Sequence, residues 1–280
     1  MAPLAIVPAV LLLLASGLTE QRELNAWVFA FGAQGHHLPG WLRAYGDSAV
    51  FQAYRRRLLI APVVIVGLSV GFALLELQTL VLLAYLWGVW HGLMQTYGIA
   101  RIYGRLGGVS AGMARFDLLL CQVGFIAAVL ASDLRLHYIF DLAMRMGLTP
   151  PSAAALAVLK QLAVATFALV AAAWLLAQFL TSKRVTHHPG RLLLLPVSLA
   201  FWWFCNLTVG HMLIGLALFE VFHDLQYLSL VWWVGRKRSA DGAGGAPARL
   251  LYQRGPLSVL VYVLACALYG GLGAPSVAGS

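Results

Sequence analysis

The sequence predicts an all-α protein, a polytopic bundle of seven or eight transmembrane helices, with eight the favoured number. Three observations predict this fold class. Of the 280 residues, 61% are hydrophobic and only 10% are charged, against about 25% charged residues in an average soluble domain. The apolar residues form runs long enough to cross a bilayer, and the basic residues collect in alternate loops. With a mean hydropathy of +0.83, the chain is neither a soluble globule nor a disordered segment.

The helices follow from the lengths of the apolar runs. A bilayer core about 30 Å thick requires about 20 mostly apolar residues per helix. The runs that meet this requirement are residues 3–18, 58–76, 79–99, 116–132, 161–181, 192–207, 209–234 and 256–272. Residues 3–18 have no Lys or Arg before them and no clear small-residue cleavage site after them, so a retained helix is favoured over a signal peptide. Residues 1–280 are predicted to form one integral membrane domain.

Basic residues predict the orientation of the chain, because cytoplasmic loops carry an excess of Lys and Arg. The loops after the first, third, fifth and seventh helices hold Arg43, Arg55, Arg56, Arg57, Arg101, Arg105, Arg115, Lys183, Arg184, Arg191, Arg236, Lys237, Arg238, Arg249 and Arg254. On the opposite side, the exceptions are Arg135, Arg145 and Lys160. Both termini are therefore predicted outside, in a multi-pass protein of the bacterial cytoplasmic membrane. This orientation accounts for the net charge of +9, so no nucleic-acid partner is expected.

Two segments are not predicted to span the membrane. Residues 25–47 join an apolar stretch to a His-His-Leu-Pro-Gly turn, which predicts a re-entrant or interfacial element of a kind tolerated where it lines a protein cavity. Residues 235–255, which include the small-residue stretch 239–247, are predicted to form a flexible cytoplasmic loop. Three isolated cysteines, Cys121, Cys205 and Cys266, have no CxxC spacing and are predicted to be small core residues.

Ionisable side chains at membrane depth cost free energy and mark functional sites. The seventh helix carries Glu220 and His223 in a Glu-x-x-His pair, with Asp224 one turn beyond Glu220. This i, i+3 spacing presents two metal ligands from one helix in di-metal bundles. The third helix carries His91, which lies about 18 Å from the outer end of its span, while His223 lies about 21 Å from the outer end of its own. The two histidines can therefore meet at one level.

Other histidines are candidates for the same site. His211 lies nearer the outer surface and needs a helix bend to join His223. His137 lies one turn from Asp141. These two residues form a second polar cluster, or the segment that carries them folds back into the bundle, or this segment is an interfacial helix. The full set of predicted metal ligands is His37, His91, His137, His211, Glu220, His223 and Asp224. The predicted catalytic groups beside the metal are Gln95, Tyr97, Gln226 and Tyr227. The first three would also orient the imidazoles through hydrogen bonds. His187 and His188 are interpreted as solvated loop residues.

This donor set predicts chemistry as well as binding. Imidazoles with carboxylates suit iron, zinc, copper or manganese, and nitrogen and oxygen ligands around open positions on iron activate dioxygen. One or two iron ions are the predicted cofactor. The predicted function is an iron-dependent membrane oxygenase or related oxidoreductase that acts on a lipophilic substrate in the lipid bilayer, with its electron donor left open.

The topology and four histidine positions resemble the bacterial beta-carotene dioxygenase family of polytopic membrane iron enzymes. In that resemblance, the early histidine matches His36 or His37, the next His91, and the later two His211 and His223. It implies iron on histidines from separate helices and cleavage of a carotenoid. That family favours His-Gly-x-x-Asp elements, whereas here His91 and Gly92 are followed by Leu-Met-Gln. The patterns HxxxQxYG and FHDLQY also resemble multi-histidine bacterial membrane proteins without a characterised function.

Three other classes stay open from the sequence. A haem-binding protein would use His91 and His223 as axial ligands, but leaves Glu220 and Asp224 unexplained. A proton- or ion-coupled transporter would use the same buried carboxylates without a metal. A structural membrane subunit would need a partner for the polar groups of the seventh helix.

Overall fold

A computed structural model describes residues 5–15, 28, 34–75, 77, 79–181, 188–241, 251–252 and 256–273. These residues form ten α-helices and contain no strand, which confirms the all-α class. The helices are α1 (Ile6–Ala15), α2 (His37–Gly46), α3 (Ser48–Leu74), α4 (Thr79–Leu106), α5 (Ala111–Ala131), α6 (Asp133–Arg145), α7 (Ala153–Thr181), α8 (Pro189–Leu207), α9 (Met212–Ala240) and α10 (Pro256–Gly273).

Five of these helices, α3, α5, α7, α8 and α9, are long and apolar enough to cross a membrane. They match five of the eight predicted runs and indicate an integral membrane protein. A shorter apolar helix covers Leu257–Gly271. The total of eight spans and the positions of the termini stay predictions. Of the predicted re-entrant element, residues 25–27 and 29–33 lie outside the described part of the chain.

Helix α3 shows the surface expected of a lipid-facing helix. It has no buried residue although it is mostly apolar, and Val63 and Ile65 are 72% and 61% exposed. Soluble proteins rarely expose contiguous apolar patches larger than a few hundred Å². The helix is interrupted at Tyr54, which has non-helical dihedral angles. We therefore place the apolar part of α3 against lipid rather than water.

The chain forms two compact units, one of Met1–Ile6 with Leu74–Phe219 and one of Val7–Ala73 with Glu220–Ser280. In the first unit, α5 packs against α4, α6, α7 and α8. Its aromatic core joins three helices, because Phe125 stacks on Trp202 with ring centres 4.9 Å apart and Phe219 meets Trp202 edge-on at 4.5 Å. A Cβ atom on Gly92 would lie only 2.9 Å from Phe219, so glycine permits this close approach of α4.

A buried ion pair crosses the first unit. Arg191 donates from Nε and Nη2 to the two carboxylate oxygens of Asp117 at 2.7 and 2.5 Å. Trp174 donates its indole N–H to the same carboxylate at 2.8 Å, and Gln178 accepts from Arg191 Nη1 at 2.8 Å. Arg191 is predicted from the sequence to be a loop charge, but the structure places it in the first turn of α8 with its side chain fully buried. This network fixes α5, α7 and α8 together.

The second unit has its own core. Leu228 and Tyr252 pack with Tyr262 and Cys266, and the Tyr262 hydroxyl donates to the Leu228 carbonyl at 3.3 Å. All three cysteines, Cys121, Cys205 and Cys266, are buried and free, as predicted.

Helix α9 continues to Ala240, so the first residues of the predicted 235–255 loop are helical. Residues 242–250 and 253–255 of that loop lie outside the described residues.

Asp47 links α2 and α3 to the end of α9. Its carboxylate forms an ion pair with Arg238 and accepts hydrogen bonds from the backbone N–H groups of Ala49 and Val50 at 3.1 and 3.3 Å. Burial alone would raise the pKa of this carboxyl, but the Val50 N–H and the Arg238 charge outweigh burial and lower the pKa below its ordinary value. The ionised form of Asp47 is therefore favoured in the folded state.

Candidate metal centre

A short turn before α2 brings an imidazole to α9 within the second unit. The turn is closed by the Leu38 N–H, which donates to the Gly35 carbonyl at 3.2 Å. Leu38 and Leu42 on α2 pack against the core that contains Leu228 of α9. This apolar contact holds the turn beside the polar part of α9 and buries His36, whose exposed fraction is 6%.

His36 and Asp224 are in direct contact at this site. The His36 Nδ1 atom lies 3.0 Å from Asp224 Oδ1, and the Asp224 side chain is 2% exposed. The His223 ring meets the His36 ring edge-on, with centres 6.1 Å apart and an interplanar angle of 89°. His223 is itself 3% exposed. Two imidazoles and a carboxylate thus converge in a buried environment.

Glu220 adds a second carboxylate on the same helix. It lies one turn before Asp224, and its charge interacts with both Asp224 and His36. Glu220 is partly buried, whereas Gln226 is fully buried. The Gln226 Nε2 atom has no hydrogen-bond partner among the described residues. The polar stretch of α9 therefore supplies two carboxylates, one imidazole and one amide within seven residues.

Tyr227 lies at the edge of this cluster. Its ring meets His36 with centres 5.6 Å apart. The hydroxyl approaches α2 so closely that a Cβ atom on Gly40 would lie 3.0 Å from it. A glycine at position 40 therefore leaves room for the Tyr227 hydroxyl.

The ring geometry is compatible with one shared metal ion. Metal–nitrogen bonds of about 2.0 to 2.1 Å put each ring centre about 3.2 Å from the ion, so two imidazoles on one ion have centres about 4.5 to 6.4 Å apart. The observed separation of 6.1 Å between His36 and His223 lies inside this range. Metal-binding histidines usually donate their other ring N–H to a carboxylate, which fixes the tautomer. Asp224 stands at His36 Nδ1 in the position of such a carboxylate.

The structure distinguishes His36 from its neighbour His37. The two rings are in contact, with centres 4.1 Å apart, but His37 is the first residue of α2 and its side chain is exposed. The buried imidazole beside Asp224 is His36, whereas the predicted ligand set contains His37. The two histidines are adjacent in the sequence, and the sequence pattern does not distinguish the buried one from the exposed one.

The other predicted site residues lie in the first unit. His91 is exposed on α4, and Gln95 and Tyr97 are partly buried on the same helix. His211 precedes α9 rather than lying within it, so the expectation of a bent helix at this position does not apply. The placement of His91 and His211 with His223 stays a prediction.

His137 and Asp141 do not pair with each other. His137 is exposed on α6, and Asp141 accepts from Arg145 Nε at 3.0 Å. Leu136 and Leu142 on the opposite face of α6 are buried. This pattern matches the interfacial amphipathic helix that the sequence left open as one interpretation of this segment.

Comparison with protein-family models, with curated protein sequences and with solved structures gave no match.

Proposed function

We propose that this chain is an iron-dependent membrane oxygenase or related oxidoreductase that acts on a lipophilic substrate. The observation that carries the proposal is the buried His36, held at Nδ1 by Asp224 and lying beside His223. In this assignment, His36 binds the ion through Nε2 and His223 supplies a second nitrogen. Glu220 is the carboxylate ligand, and Asp224 orients His36. His91, whose predicted depth in its span matches that of His223, is a further ligand in this proposal.

Iron among nitrogen and oxygen ligands supplies the activation of dioxygen. The residues around the site bind the ion, exclude bulk water and orient the ligands, and the lipid-exposed helices give an apolar substrate access from the bilayer. Resemblance to the bacterial beta-carotene dioxygenase family favours the oxidative cleavage of a carbon–carbon double bond. That reaction converts one C=C and one O₂ into two C=O groups, so it balances without an external reductant.

The first test is metal analysis with an optical spectrum on protein purified anaerobically in a neutral detergent. The proposal predicts one or two irons per chain and no Soret band. Addition of β-carotene in micelles should then cause oxygen uptake and formation of a carbonyl product. A Soret band would contradict the proposal in favour of a haem protein, and protein without stoichiometric metal would contradict it in favour of transport or a structural role.

A proton relay is the second candidate, favoured by the same contact. The His36 and Asp224 pair can be satisfied without a metal, and chains of Asp, Glu and His carry protons through membrane bundles. In proteoliposomes that contain an internal pH dye, a relay predicts proton flux driven by a potassium diffusion potential. Glu220→Gln should abolish this flux and leave the metal content unchanged, whereas the oxygenase proposal predicts no flux and a metal content lowered by the same substitution.

A further inference from the structure

Arg135 is a buried cation at the start of α6. Its side chain is 1% exposed, and Nε donates to the Asn206 side-chain oxygen at 2.8 Å. Ser132 holds the same junction, because its hydroxyl donates to the Asn206 carbonyl at 2.7 Å and accepts from the Arg135 backbone N–H at 3.4 Å. The guanidinium is therefore fixed against the end of α8.

No carboxylate of the described residues neutralises this cation. Both Nη atoms of Arg135 are buried, and in the described part of the chain neither has a carboxylate or carbonyl partner. The two carboxylates of α6 are engaged elsewhere, Asp133 with Lys160 and Asp141 with Arg145. An arginine stays protonated in proteins, and a buried charge without a partner is strongly unfavourable. The guanidinium has only N–H donors, so the group that would complete this site is an anion that accepts hydrogen bonds.

The groups around Arg135 add donors to the same place. The buried Tyr85 hydroxyl on α4 lies beside the guanidinium, close enough to accept a hydrogen bond from it while its own O–H remains able to donate. A Cβ atom on Gly215 would lie 3.4 Å from Arg135 Nη2, which puts that nitrogen at the first turn of α9. The amino end of a helix carries partial positive charge and binds anions. A guanidinium, a hydroxyl and a helix end converge on one spot.

We propose that Arg135 and Tyr85 form a binding site for an oxyanion, a carboxylate or a phosphate group. The two Nη groups of an arginine match two oxygens of such a group in a bidentate pair. Tyr85 donates a third hydrogen bond, and the first turn of α9 adds its positive end. Arg135 follows the end of the span α5 by four residues, which is the level at which lipid headgroups meet a membrane protein. The oxyanion therefore belongs to a lipid headgroup or fatty acid, or is a free anion such as phosphate.

The test measures melting temperature of the delipidated full-length protein in a neutral detergent, as each of four compounds is titrated at constant ionic strength. The compounds are dioleoyl phosphatidic acid, palmitate, palmitate methyl ester and inorganic phosphate. The proposal predicts saturable stabilisation by an oxyanion and none by the methyl ester. Stabilisation by phosphatidic acid or palmitate but not by inorganic phosphate identifies a lipid source, and stabilisation by inorganic phosphate as well identifies a free anion.

Matched variants locate the effect. Arg135→Lys should weaken the apparent affinity at least tenfold, because lysine lacks the bidentate fork. Tyr85→Phe removes only a hydroxyl and should weaken it several-fold, which keeps the test decisive if Arg135→Lys does not fold. Arg145→Gln, on the exposed face of α6, should bind as the wild type does. Equal affinity in the wild type and Tyr85→Phe, or no oxyanion effect in the wild type, would overturn the site. Metal content is unaffected in either case, so this result is independent of the proposed function.

Discussion

The ion pair between Asp117 and Arg191 predicts a large and specific loss of stability on neutralising one partner. In Asp117→Asn, the amide retains one oxygen and turns an NH₂ group toward a donor of Arg191, which leaves a buried cation without an anion. Both side chains are at most 1% exposed, so water cannot replace the lost carboxylate. Breaking such a buried pair costs about 3 to 5 kcal/mol. At about 2 °C per kcal/mol for a chain of this size, the melting temperature should fall by about 6 to 10 °C.

The assay is thermal unfolding in detergent followed by intrinsic tryptophan fluorescence, with Asp141→Asn as the matched control. Asp141 pairs with Arg145 on the surface, where their side chains are 45% and 60% exposed. An exposed pair contributes about 0 to 1 kcal/mol, so the control should shift by no more than about 2 °C. Equal melting temperatures for Asp117→Asn and Asp141→Asn would show that the buried ion pair does not stabilise the fold.

A double variant tests whether the charge or the packing is responsible. Asp117→Leu with Arg191→Met removes both charges and leaves the Trp174 N–H without its acceptor, at a cost of about 1 to 3 kcal/mol. Each single variant instead leaves one buried charge without its counterion, at a cost of about 3 to 5 kcal/mol. The double variant should therefore be less destabilised than the sum of the two single variants. Additive single and double shifts would show that the two side chains are not coupled.

Further predictions concern glycine packing, acid stability and the site itself. Gly215→Ala would put a Cβ atom 2.3 Å from the Cys205 carbonyl oxygen, so it should lower stability by about 1 to 3 kcal/mol; Gly98→Ala faces open space and should raise it by about 0.5 to 1 kcal/mol. Both are measured by thermal unfolding, and a stabilised Gly215→Ala would contradict the packing described. Because the pKa of Asp47 is lower in the folded state, its contribution is present above the ordinary value of about 3.9 and is lost as the pH falls through the lowered value. Between pH 5 and pH 3 the melting temperature of the wild type should therefore fall more than that of Asp47→Asn, and parallel curves would contradict this. Glu220→Ala should lower the iron content measured by mass spectrometry, and an unchanged content would remove Glu220 from the site.

The helical architecture could be read from the sequence because burial in a bilayer imposes one strong requirement, a long apolar run with internal hydrogen bonds. The runs 116–132 and 192–207 correspond to α5 and α8 within a few residues. Helix ends were less well defined, because the described α3 begins ten residues before the predicted run 58–76. Polar residues can continue a helix beyond its apolar part, and hydropathy does not register them.

The polar interior could be predicted only in part. Asp117 lies inside a predicted span and signals a buried partner, but Arg191 is 74 residues away and only the packing of α5 on α8 joins them. Counting the Lys and Arg residues of each loop treats such an arginine as exposed to water. The Glu220, His223 and Asp224 cluster was visible because its members share one helix, whereas the approach of His36 depends on a turn and on apolar contacts of α2. Spacing along the sequence predicts which side chains are neighbours on one helix. It does not predict which side chains of different helices are in contact.

The most direct test of the proposed metal centre compares the iron content of His36→Ala with that of His37→Ala. The two substitutions remove the same group from adjacent positions, one buried against Asp224 and one exposed. Both proteins are purified anaerobically, checked for a single symmetric peak by size exclusion, and analysed for metal by mass spectrometry. We expect loss of most of the iron in His36→Ala and retention of wild-type iron in His37→Ala. Equal iron in both variants, or a loss confined to His37→Ala, would contradict it.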